Sequence, residues 1–166
     1  MLEDVVLSPH ERALYEKLYA SYNDLGTARS CANFILKKGW HNYSFMRRGS
    51  VPIQQTAFTT TMIVAYARPF SPGRGRSKTF PDGLLRYSSA EKQLHARMLK
   101  LRHQQYAHTD PSTIYVRPLK DKYITSIQST GDLFFSPAEL TMFIKMTNAV
   151  ADRVSKRLEE IRLSGC

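Results

Sequence analysis

A chain of 166 residues, 42% hydrophobic and 23% charged, suits one folded domain spanning 1–166 with a real core, and global disorder is excluded. The formal charge of +10 favours a polyanionic partner. No apolar run approaches the roughly 18–20 residues of a membrane span. Two cysteines, Cys31 and Cys166, make neither a disulfide framework nor a metal knuckle. The opening MLEDVVLSPHE lacks the basic-then-apolar pattern of a secretory signal, so the expected compartment is the cytoplasm.

Ser8-Pro9-His10-Glu11 is a helix start. Serine caps, proline tolerates the first turn, and glutamate three residues on closes a capping box. Apolar residues at Leu14, Leu18, Tyr22, Leu25, Ala32 and Ile35 or Leu36 then keep a helical period up to a stop at Gly39. Gly26 falls inside this helix and suggests a bend or a close approach. After the loop from Gly39 to Ser50, whose Trp40, Tyr43 and Phe45 are expected to pack inward, Pro52 to Arg68 reads as a buried second helix ended by Ala67-Arg68-Pro69-Phe70. The segment from Ser71 to Tyr87 is expected to be a long, mobile loop. Its GRGRSK has no Walker lysine-serine in frame and follows no strand, so it is not a P-loop.

Ser88 or Ser89 caps the third helix, with Glu91 as the box partner of Ser88, and the helix is expected to run to about Ala107. After Pro111, the alternation in Ile114–Arg117 and Tyr123–Ile127 around Lys120-Asp121 predicts a small hairpin. Ser136-Pro137-Ala138-Glu139 repeats the first start signal. Leu140, Phe143, Ile144, Thr147, Val150 or Ala151, Val154, Leu158 and Ile161 give the last helix its apolar face. The expected fold is all-α: an antiparallel four- to five-helix bundle with a small β-hairpin insertion before the last helix.

Between Arg68 and Arg102 there are nine Lys or Arg against Asp82 and Glu91, most of the chain's excess charge. Such a concentration suits RNA, and it equally suits a solvated surface. Arg74, Arg76, Lys78 and Arg86, on the loop, and His95, on the third helix, are the candidate RNA-binding residues. At the end of that helix Arg102, His103 and His108 form a minimal kit for phosphate-ester chemistry: a permanent cation and imidazoles that titrate near neutrality. Six residues apart on an ideal helix, Arg102 and His108 point ~120° apart. They meet only if the helix end unwinds or a second copy supplies one of them. The bland alternative for Arg102 is a salt bridge to Glu139, Glu159 or Glu160, and for His95 a half-buried, hydrogen-bonded core position. The histidines lack zinc-helix spacing, Cys31 reads as core, and no nucleophile elbow is present; no metal or other cofactor is expected.

The stretch LRHQQYAHTD (Leu101–Asp110), with Val64-Ala65-Tyr66-Ala67-Arg68-Pro69-Phe70 upstream and His95 before the arginine, resembles the arginine–polar–histidine signature of the HEPN superfamily, in its abortive-infection-type and uncharacterised bacterial branch. The resemblance implies a helical bundle that dimerises and cleaves RNA without a metal, Arg102 and His108 from two subunits meeting in a shared cleft and His103 in the polar position. It also implies a toxin or phage-defence setting, with an antitoxin or nucleotidyltransferase partner. The alternative is a non-catalytic bundle that binds nucleic acid or a partner protein through the same basic face. A purely structural dimerisation module is a third reading.

Overall fold

The computed structural model describes residues 5–41, 49–71, 79–103 and 134–164 with their side chains, and 114–118 and 125–129 as backbone. The described residues contain four α-helices: α1 (Pro9–Lys37), α2 (Val51–Ala67), α3 (Ser89–Leu101) and α4 (Pro137–Ser164). The molecule is all-α in class. The backbone of Ile114–Pro118 (β1) also pairs antiparallel with Thr125–Ser129 (β2), Val116 opposite Ile127.

Capping boxes start α1, α3 and α4. Ser8, Ser88 and Ser136 each accept from the backbone N–H of the glutamate three residues on, and each glutamate accepts from its serine's N–H. Each box satisfies two of the helix's orphan donors. At the other end of α1, Gly39 takes φ +64°, which a side chain would resist. That turn lets Gly39 N–H reach Leu36 O and Trp40 N–H reach Ile35 O, so the last carbonyls of α1 are not left bare. It also lays Trp40 edge-on to Phe34 and Phe58, an aromatic seam between α1 and α2.

α1 packs on α2 and α4, and α3 packs on the same two. Phe34 stacks on Phe58 while Asp24 pairs with Arg68, so α1 and α2 run in opposite directions. α3 and α4 also oppose one another: Arg97 meets Glu139, and Arg153 donates to Leu84 O just before α3 begins. Tyr66, Phe143, Leu18, Leu25, Met62, Met98 and Val154 fill the centre, all fully buried.

Several expectations need correcting. Tyr22 is 42% exposed; the inward place in that turn of α1 belongs to Ser21, whose hydroxyl donates to Lys17 O. Gly26 lies within α1 where an added Cβ would meet nothing within 4 Å, so it marks no close approach. Only the second half of α2 is buried; Pro52, Ile53 and Gln54 face out. Trp40 is buried as expected, while Tyr43 and Phe45 lie outside the described residues. Within the presumed mobile loop, Thr79–Tyr87 is packed: Phe80 is buried, and Leu84, Leu85 and Tyr87 lean on the core. A turn at Asp82–Leu84, held by Arg153, makes this possible. α3 is regular α-helix to Leu101 and continues through Arg102 and His103 as a π turn, while the rest of the expected stretch, to Ala107, lies outside the described residues.

Candidate functional site

α3 and the turn that follows it hold the candidates His95, Arg102 and His103, and three contacts fix how the helix sits. The fully buried Tyr66, at the end of α2, hydrogen-bonds through its hydroxyl to His95 Nδ1 (2.8 Å) and to the Tyr87 hydroxyl (3.0 Å). Burial drives the Tyr66 phenol far above its usual range, with the Tyr87 phenol beside it adding to the shift, so Tyr66 keeps its proton. Burial likewise pushes the His95 imidazole below its ordinary value and favours the neutral ring. A neutral imidazole has one donor and one acceptor nitrogen. The chain therefore runs in one of two senses, from Tyr87 through Tyr66 to Nδ1 or the reverse, each with its interior partners supplied.

The third contact is Arg97. Its guanidinium pairs with Glu139, donates to Phe134 O at 2.6 Å and lies over the Phe135 ring at 4.5 Å. Burial raises the Glu139 carboxyl, but the Ser136 backbone and hydroxyl and the Arg97 charge outweigh it, and the net shift is downward. One carboxylate thus caps α4 and holds α3.

Leu94, Met98 and Leu101 seat one face of the helix in the core. His95, Leu99 and Arg102 follow at i, i+4 and i+7, one stripe of the helix surface. The first two line a cleft of about 430 Å³ walled on its other side by Phe70, Phe80 and Asp82. Arg102 is half-buried. The three glutamates expected to neutralise it are engaged elsewhere: Glu139 pairs with Arg97, Glu160 with Arg157 and Glu159 with Arg162. Among the described residues no ion pair involves Arg102. Its charge sits at the negative end of the α3 dipole, which helps to hold it there. His103, next to it, is exposed.

The other candidates fall as follows. Arg86 is exposed on the packed segment, one residue from Tyr87. Arg74, Arg76, Lys78 and His108 lie outside the described residues, so the Arg102–His108 relation is not drawn. Cys31 is buried, and burial raises its thiol above the ordinary range, as befits an inert core position. No group of three or more His, Cys, Asp or Glu among the described residues could hold a metal ion, and no described helix is long and apolar enough to cross a membrane. Sequence reasoning missed the Tyr66–Tyr87–His95 chain and the anchoring part of Arg97. Tyr66 stood within the quoted VAYARPF, but its partners come from two other segments.

No protein-family model matches the chain, and no curated protein or solved structure does.

Proposed function

We propose that the protein is a metal-independent, HEPN-type endoribonuclease acting as a toxin or phage-defence effector. Its Arg102 and His108 would be contributed across a homodimer cleft, with His103 beside them. The observation that carries this reading is Arg102 itself, a half-buried cation whose expected acidic partners are all engaged by other arginines. A half-buried cation that no acid among the described residues answers is suited to an external anion, and a guanidinium fits phosphate oxygens. On this reading the helices form an antiparallel bundle, and the β1–β2 pair is an insertion before the last of them.

The chemistry needs little else. RNA brings its own nucleophile: the 2′-oxygen attacks phosphorus, the bond to the 5′-oxygen breaks, and the products are a 2′,3′-cyclic phosphate and a 5′-hydroxyl. His108 takes the 2′-hydroxyl proton or delivers one to the leaving oxygen. Arg102 stabilises the charge building on the phosphorane oxygens. The exposed Arg86, with Arg74, Arg76 and Lys78, would track the flanking backbone.

The test is digestion of RNA by the purified protein in EDTA. Expected are cyclic-phosphate ends, no cleavage where the nucleotide beside the scissile phosphate is deoxy, and inactive His108→Ala dimers. Activity that requires magnesium, or efficient cleavage of the deoxy substrate, overturns the mechanism. RNA binding without any cleavage would leave the non-catalytic binding module in its place.

A further inference from the structure

We propose that the cleft between the end of α2 and α3 is a guanine-binding subsite, which seats a base of the RNA whose phosphate Arg102 receives. This rests on the ribonuclease reading for its substrate, and on the shape and polarity of the cleft for its choice of base.

The volume, about 430 Å³, is in the range of small-molecule sites. Two half-buried rings, Phe70 and His95, line it with centroids 4.9 Å apart. Phe80, a buried ring of the same cleft with its centroid 5.0 Å from that of Phe70, and Tyr66, bonded to His95, keep both from shifting. Uncharged, immobilised aromatic rings are platforms on which bases stack, and unpaired RNA bases are read in this way. From His95 to Arg102 is ~10 Å along the helix, comparable to the reach of one nucleotide from its phosphate to the far edge of its base.

Polarity divides the two ends. Arg102 attracts phosphate, whereas the exposed Asp82 carboxylate at the cleft repels it, so the cleft end takes the base. Asp82 can only accept hydrogen bonds. Ser71 gives its proton to Ala67 O at 2.9 Å and likewise offers the cleft an acceptor. A base that brings two adjacent donors suits these two acceptors. The Watson–Crick edge of guanine does so, with N1–H next to the N2 amino group. Adenine and cytosine set an acceptor nitrogen beside their one amino group, and uracil has a single N–H between two carbonyls.

The experiment is titration of the intact protein with GMP, IMP, AMP, CMP and UMP, followed by protein chemical shifts. GMP should bind best. IMP, which lacks the N2 amino group, should bind about tenfold more weakly, the loss of one charge-assisted hydrogen bond. Asp82→Asn, an exposed and isosteric change, should remove the preference of GMP over IMP and leave AMP within about twofold. Phe70→Leu should weaken every nucleotide together. GMP binding no tighter than AMP or UMP, or a preference that survives Asp82→Asn in a folded protein, overturns the proposal. RNA cleavage with no GMP binding defeats the subsite and leaves the ribonuclease standing. GMP binding with no RNA cleavage does the reverse.

Discussion

Arg97 and Arg102 lie five residues apart on one helical segment, about 140° around it, and their surroundings differ in kind. Arg97 faces α4 and is satisfied three ways, by a carboxylate, a carbonyl and an aromatic face. Arg102 is half-buried on the cleft side, and no acid among the described residues answers it. On the proposed reading, the same side chain is a structural rivet in one place and an anion receptor in the other. What separates them is whether the described residues supply the counter-charge.

That contrast should break first at Arg97. Replacing it with Met removes the Arg97 hydrogen bonds to the Phe134 carbonyl and to Glu139, and should cost about 2–3 kcal/mol of stability in a denaturant titration. A double-mutant cycle with Glu139→Gln should give clear coupling; additive losses would mean that the pair is an ordinary surface contact. Next is the support behind the cleft. Tyr66→Phe removes the hydroxyl that joins Tyr87 to His95, and should cost about 1–3 kcal/mol through two interior groups left unpaired. A Tm unchanged from that of the parent would show that water replaces the hydroxyl. Ser88→Ala should cost about 1 kcal/mol, the usual worth of an N-cap, and leave the Tyr66–His95 contact in place.

The smallest effect is on pH dependence. The folded-state pKa of His95 is depressed by burial, so on acidification the unfolded chain takes up that proton first. Its contribution to stability is whole above the ordinary value of 6.5 and is lost as pH falls through the lowered folded value. His95→Gln should flatten the fall in stability between pH 7 and that lower value. An identical slope in the variant would assign the acid sensitivity to other groups.

What was legible in the sequence was what depends on local order. Ser8, Ser88 and Ser136 with their glutamates announced three helix starts, and Gly39 announced a stop, because caps are made within one turn. The apolar period found most of the buried face of α4, although Met146 was missed. Tyr22 and Ser21 were misjudged because periodicity fixes a face only to within a neighbouring position, and Ser21 could turn inward by bonding its own helix. The packing of Thr79–Tyr87 was hidden by Pro81 and Gly83, since a contact that holds it comes from Arg153, in α4. The salt-bridge alternative for Arg102 named Glu139, and the acid chose Arg97 instead. Which of several cations meets one carboxylate depends on how helices are rotated, and that is a property of the packed bundle.

The most direct measurement is RNA cleavage by Arg102→Ala and Arg97→Met at matched folded concentration, with unfolding curves for both. The account predicts that Arg102→Ala loses about 10²–10³ in rate, the usual cost of removing a group that stabilises transition-state charge, at unchanged stability. Arg97→Met should lose stability while its folded fraction remains active. Full activity in Arg102→Ala, or loss of activity only in step with loss of fold, would contradict it.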